Sequence, residues 1–127
     1  MDNAPELPFS QAIKAGDYIF VSGQGGFQDP NSGKAITGIE EQTRLCINNI
    51  KRVLEIAGSS LDDVVKVTVF LKNADDYVKM NEVYQSYFYD DQPARSTAVT
   101  GLAMQGMLVE IECVAYSPTA PPQNCSS

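Results

Sequence analysis

A single layer of five β-strands, covered on one face by two helices, is the fold class this sequence predicts, in the order β-β-α-β-α-β-β. Three observations carry that expectation. Residues 37–58 and 73–88 repeat apolar side chains at helical spacing between start and stop signals. Residues 64–71 and 107–116 are apolar runs with period-two patterning, the second lying close to the end of the chain. The 127 residues, 43% hydrophobic and 20% charged, suit one domain with its own core and exclude disorder for all but the ends.

Residues 1–7 read as loose. Residues 9–14 alternate weakly and meet Ala15-Gly16-Asp17, a turn signal, before the aromatic and β-branched strand Tyr18-Ile19-Phe20-Val21-Ser22. These form an opening hairpin that Gly23-Gln24-Gly25-Gly26 ends, and residues 29–34 follow as a loop. The first helix starts at Thr37, an N-cap with Glu40 completing a capping box, and stops at Gly58. Ile47, Ile50, Val53, Leu54 and Ala57 share its apolar face, with Cys46 beside them as a packing residue. In the next strand Val65, Val67, Val69 and Leu71 share one face, and Val64, Lys66, Thr68 and Phe70 the other.

The second helix starts near Asn73 as N-cap, with Asp75 and Asp76 against the positive end of its dipole. Its stripe is Tyr77, Met80, Tyr84, Tyr87 and Phe88. Asn81 falls on that stripe, either as a satisfied structural amide or as a residue pointed at a site. Pro93 breaks the helix. Residues 95–102 form a strand, 103–106 a turn and 107–116 the longest strand. That last strand has Met107, Val109, Ile111, Cys113 and Ala115 on an apolar face, and Leu108, Glu110, Glu112, Val114 and Tyr116 on a mixed one. The domain then spans residues 1–116, and residues 117–127, carrying three prolines and Cys125, are expected to be a mobile tail.

A formal net charge of −7 repels phosphate backbones, and Lys51-Arg52 alone does not offset it, so nucleic acid is not expected as a partner. The chain has no histidine and no CxxC pair, which removes His-based triads and the usual metal sites. No metal and no cofactor is expected. Three scattered cysteines suit free thiols in a reducing compartment. No run is long enough to span a bilayer and the N-terminus lacks a signal-peptide core, so the expected location is cytoplasmic, without a membrane partner.

The stretch Pro93-Ala94-Arg95-Ser96-Thr97-Ala98-Val99 sets one arginine in a small and apolar run, and fifteen positions later Glu110 lies in an apolar strand with Glu112 just beyond. Charges placed this way are costly unless paired or put to use. They read as an Arg-plus-carboxylate site, or as an arginine that merely ties two strands together. Two helices cover only one sheet face. The half-apolar second face predicts a homo-oligomer that buries it, with Arg95 and Glu110 near the subunit boundary, where clefts form.

An ordered set of motifs adds to this reading: Pro8-Phe9-Ser10-Gln11-Ala12, Phe20-Val21-Ser22-Gly23-Gln24, Val67-Thr68-Val69-Phe70-Leu71, Met80-Asn81, Pro93-Ala94-Arg95-Ser96 and Val109-Glu110-Ile111-Glu112. Together they resemble the RidA/YjgF family, also called L-PSP endoribonuclease-like proteins, over nearly the whole length to Tyr116. The resemblance implies a chorismate-mutase-like α+β fold and a homotrimer with ligand clefts between subunits. It implies 2-iminobutanoate/2-iminopropanoate deaminase activity, the hydrolysis of reactive imines from pyridoxal-phosphate enzymes to 2-keto acids and ammonia. It assigns Arg95 to the substrate carboxylate and Glu110 to the water step. Phe9, Ser22, Gly23, Asn81, Ser96 and Thr97 are its implied substrate-binding positions. Phe9 stands where tyrosine is common and Thr97 where cysteine or alanine is frequent. Gln105-Gly106 replaces a usual Pro-Lys turn, and the loop before Pro93 is shorter than is typical. These departures bear on substrate choice more than on fold.

The chemistry suits the residues. A protonated 2-imino acid needs neither a metal nor a strong nucleophile. Arg95 can grip its carboxylate through two parallel charge-assisted hydrogen bonds. Glu110 can deprotonate the attacking water and return a proton to the departing nitrogen. Glu112, roughly 7 Å further along the same strand face, reads as a solvated edge carboxylate or an interface salt-bridge partner. Ser22 and the Gly23 N–H can hold the carboxylate or the water; for Ser22 a strand-end hydroxyl is the competing reading. Two other functions stand beside the deaminase: a non-catalytic module that binds a small carboxylate metabolite, and an endoribonuclease, which fits poorly with the acidic charge and the absence of a basic groove.

Overall fold

A computed structural model describes residues 9–90 and 92–118. The expectations for residues 1–7 and for the tail beyond residue 118 lie outside the described residues. Five strands, β1 (Ala12–Ala15), β2 (Tyr18–Gly25), β3 (Val64–Leu71), β4 (Ala94–Val99) and β5 (Val109–Tyr116), form one sheet in the order β1-β2-β5-β3-β4. β3 and β4 run parallel while the other neighbours are antiparallel, so the sheet is mixed. Two helices, α1 (Ile39–Ile56) and α2 (Tyr77–Tyr87), pack against each other and against one sheet face, and α2 makes the crossover that a parallel pair requires. The fold is α+β, as expected.

The core lies between helices and sheet. Ile47, Ile50 and Leu54 of α1 and Met80 of α2 meet Ile19, Val21, Val67, Val69, Leu71, Val109, Ile111 and Ala115. Each large side chain withdrawn from water there contributes about 1.5–3 kcal/mol. The alternation expected along β5 holds: Val109, Ile111, Cys113 and Ala115 are buried. On the other face Ile13, Tyr18, Phe20 and Tyr116 are exposed beside the half-buried Phe70 and Val114. Among the described residues no element covers this half-apolar face, which the sequence predicts.

Several details differ from the sequence reading. Val65 does not share a face with Val67: one extra residue between Val64 and Lys66 resets the pleat, leaving Val65 43% exposed and Val64 buried. A second bulge, between Val21 and Gln24, lets β2 run on to Gly25 instead of ending at Ser22. β1 begins at Ala12, not at residue 9. The capping box at Thr37 does not form. Gly38 is the N-cap of α1 and no side chain caps it, while Glu40 and Glu41 meet the dipole. Gly58 does stop the helix, at φ +85°, with Ser59 N–H on Leu54 O (2.8 Å) and Gly58 N–H on Glu55 O (3.1 Å).

Asn73 opens a short 3-10 turn, Ala74–Asp76, and α2 proper starts at Tyr77. β4 ends at Val99 and β5 starts at Val109, and at eight residues β5 only equals β2 and β3. Ser117 is tied down, its N–H on Asp17 O (2.7 Å) and its carbonyl accepting from Lys14 Nζ (3.0 Å). Among the described residues no helix is long and apolar enough to cross a membrane.

Candidate ligand site

Arg95 lies on β4, the edge strand, directly beside Val67 of β3. Residues in register on neighbouring strands point the same way, so Arg95 shares the helix-covered face with Val67. There α2 receives it. The guanidinium carbon sits 4.7 Å from the centre of the Tyr84 ring and 5.7 Å from that of Tyr77, within cation-π reach of both. Arg95 Nη2 donates to the Tyr77 hydroxyl at 3.3 Å. The half-buried arginine fronts a hollow of about 290 Å³ lined by Asn81, Tyr84, Gln85, Gln92, Pro93 and Arg95 itself. Two polar atoms here, Asn81 Oδ1 and the Tyr84 hydroxyl, are buried without a partner among the described residues. Burial pushes Tyr84 up to about 12, against the pull of Arg95, so its proton stays at neutral pH. Thr97, beside Val69, shares this face.

Glu110 belongs to the opposite face. On β5 the odd residues are buried, and Glu110 alternates away from them, in register with Phe70 and Gly25. Its carboxylate occupies the space that a side chain at residue 23 would need: a methyl group there would land on Glu110 Oε2. Gly23 is therefore required for that placement, and the β2 bulge brings it there. Ser22 is committed to its own loop, its hydroxyl donating to Ser10 O at 2.6 Å and its N–H to Gln11 O at 2.9 Å. That leaves the oxygen's lone pairs for any further contact. Phe9 beside it is exposed. Glu112 is exposed, opposite Thr68. Ser96 is also in register with Thr68 and accepts from Lys66 Nζ at 2.7 Å, so it lies on the open face, opposite to Arg95 and Thr97.

The expectation that Arg95 faces Glu110 thus fails within one chain. Register puts them two strands and three residues apart, roughly 14 Å between Cα atoms at ordinary strand spacing, and on opposite faces of the sheet. The fifteen-residue spacing carried no such information, because β3 runs between the two strands. What the chain holds is two half-sites: Arg95, Asn81, Thr97 and the tyrosines on one face, Glu110, Gly23, Ser22 and Ser96 on the other.

Sequence reasoning missed Gln42. It is fully buried in α1, where it donates to Ile36 O (2.6 Å) and Gly106 O (3.0 Å) and accepts from Leu108 N–H (2.8 Å). It anchors the chain two residues before Glu110. The signal was present, since Gln42, Cys46 and Ile50 repeat every four residues on the buried stripe. Cys46 is a packing residue, with its Sγ 3.7 Å from Val109 O and its thiol pushed far up by burial, and further by Glu110.

The class of protein is an α+β domain with one sheet face that no described element covers, and with charged residues divided between its two faces. Comparison with known proteins gives the family. The family profile for endoribonuclease L-PSP matches residues 1–117. A RutC family protein of Pyrococcus horikoshii is 48% identical over 118 residues, covering 91% of this chain and 93% of its own. The human 2-iminobutanoate/2-iminopropanoate deaminase is 37% identical over 109 residues, covering 85% and 79%. The crystal structure of RidA from an Antarctic Psychrobacter superposes with a TM-score of 0.81 at 37% identity, covering 89% of this chain and 91% of that one. The chain belongs to the RidA/YjgF, or endoribonuclease L-PSP, family.

Proposed function

We propose that this protein hydrolyses small 2-imino acids to 2-keto acids and ammonia, in clefts where the Arg95 half of one copy meets the Glu110 half of the next within a homotrimer. One observation carries the reading. Arg95 is oriented by two tyrosines yet still fronts an open hollow, in a chain that sets Glu110 on the other face. A closed ring of copies supplies to each arginine a carboxylate from its neighbour and covers the apolar open face at the same time. The deaminase names of mammalian relatives support the reaction.

In the cleft Arg95 holds the substrate carboxylate, which aims the electrophilic C=N carbon. Glu110 takes a proton from water as the oxygen bonds to that carbon, giving a tetrahedral carbinolamine. That proton passes from Glu110 to nitrogen, and Glu110 then takes the hydroxyl proton as the C–N bond breaks, so ammonia leaves and the carbonyl of the 2-keto acid forms. Gly23 leaves room for Glu110, Ser22 and Ser96 flank it, Asn81 and Thr97 flank Arg95, and Phe9 stands at the rim.

The test couples the protein to a threonine dehydratase and follows 2-oxobutanoate formation. Arg95→Ala and Glu110→Ala each lose at least about 100-fold of the acceleration. Co-expressed at equal amounts, the two variants recover about a quarter of wild-type activity, because one cleft in four then pairs an intact arginine with an intact glutamate. Wild type that leaves the imine's spontaneous hydrolysis unchanged overturns the deaminase reading. No recovery on mixing, or a single-subunit mass at micromolar concentration, overturns the shared cleft.

A further inference from the structure

Tyr77 stands at the start of α2 and reads in sequence as part of its apolar stripe. The structure assigns it elsewhere. It is 45% exposed, and its hydroxyl lies 3.3 Å from Arg95 Nη2. A guanidinium carries only donors, so the phenol oxygen accepts that bond. Asn81, four residues on along the helix, first and the Arg95 charge second hold the Tyr77 hydroxyl below the ordinary tyrosine range. A phenol oxygen has two lone pairs and one proton. Arg95 already donates to this oxygen, so the proton is what Tyr77 can still offer to a ligand held on the same guanidinium, and the group that takes it must be an acceptor.

Arg95 also selects what that acceptor is. A guanidinium fronting a small hollow draws an anion with planar oxygens. A carboxylate on the arginine fork lies within reach of the hydroxyl already bonded to the same fork. The rings of Tyr77 and Tyr84, 5.7 and 4.7 Å from the guanidinium carbon, meanwhile limit its tilt.

We propose that Tyr77 is a ligand-binding residue, its O–H donating a third hydrogen bond to the carboxylate that Arg95 grips. The inference rests on the proposed deaminase reading for the identity of the substrate, but it concerns the carboxylate alone. It therefore applies equally to the 2-keto acid product, and binding can test it without turnover.

The experiment uses the full chain with Tyr77→Phe, which keeps the ring and removes only the hydroxyl. In the dehydratase-coupled assay KM rises by about 3- to 10-fold while kcat stays within about twofold, the pattern of a contact made equally in ground and transition states. Calorimetric titration with 2-oxobutanoate shows the same loss of affinity. In the Arg95→Ala background Tyr77→Phe changes affinity by less than about twofold, because the carboxylate is no longer held beside the hydroxyl. A protein that turns over no imine but whose 2-oxobutanoate affinity still drops in Tyr77→Phe retains the Tyr77 contact and loses the deaminase. A Tyr77→Phe variant that binds 2-oxobutanoate as wild type does, or a wild type that does not bind it, overturns the proposal. A purely structural tyrosine would lower the melting temperature and leave KM in place.

Discussion

The two half-sites are built in opposite ways. Arg95 reaches from an edge strand on a long side chain, and its position comes from soft contacts: two aromatic faces and one hydroxyl, beside a hollow of about 290 Å³. Glu110 sits on an interior strand with no slack. Its carboxylate fills the place of an absent side chain at Gly23, Gly25 is its register partner, and Gly26 presses on the Gln42 carbonyl, where a Cβ would come within 2.5 Å. The difference follows from what each group is asked to do. A guanidinium that orients a ligand needs faces open to it and tolerates some motion along the carboxylate plane. A carboxylate that moves a proton must stay within hydrogen-bond distance of one water. The chain spends tyrosines on the first half and glycines on the second.

Gly23→Ala is the sharpest way to break that contrast. The added methyl group would meet Glu110 Oε2, so the carboxylate must turn away. Imine hydrolysis should fall by about 100-fold or more, while 2-oxobutanoate binding changes by less than about threefold, because the Arg95 grip on the carboxylate does not run through Glu110. Unchanged turnover in this variant would mean that Glu110 does not need its present seat. The next effect in size is on stability. Gln42→Leu leaves the part-buried Ile36 and Gly106 carbonyls and the Leu108 N–H without their partner, at a cost of about 1–3 kcal/mol. Urea unfolding measures it. A cost below about 0.5 kcal/mol would show that water replaces the clamp at no loss.

The same contrast marks what could be read before any coordinates. Segment types and their order were legible because stripes such as Ile47, Ile50 and Leu54, or Val109, Ile111 and Cys113, carry their period in the sequence. The bulge at Val65 was not, since an extra residue changes the face of everything before it and has no residue signature of its own. The cap at Thr37 failed because α1 starts one residue later and takes its start from Gly38. For the site, Arg95 and Glu110 stood out as charges in apolar runs. Their division between two faces was illegible, because it depends on which strand lies between β4 and β5. Tyr77 and Tyr84 were hidden by helical periodicity, which counts an aromatic ring as core whether it covers the sheet or holds a guanidinium.

The smallest expected effect separates the two faces by pH. Three acids are buried on the helix-covered side. Burial raises the Cys46 thiol well above its ordinary 9.0, with Glu110 adding. Burial, with Glu112 adding, pushes Cys113 from 9.0 up to about 12. Burial pushes Tyr84 from 10.0 up to about 12 in spite of Arg95. In each case the folded chain keeps a proton that the unfolded chain gives up first. Below the ordinary thiol value both states are protonated and these groups contribute nothing. Above about pH 9 the unfolded state binds fewer protons than the folded one, so stability must fall as pH rises. Urea unfolding should therefore be level from about pH 7 to 8.5 and lose on the order of 1–3 kcal/mol by about pH 9.5. Cys113→Ala should make the decline shallower from pH 9 onward, and Tyr84→Phe only beyond pH 10, in the order of their unfolded values. Tyr84→Phe also removes a buried hydroxyl that has no partner among the described residues, so at neutral pH it should be neutral or slightly stabilising. A marked loss at pH 7 instead would mean that the Tyr84 hydroxyl has a partner, and that the arginine half is held as tightly as the glutamate half.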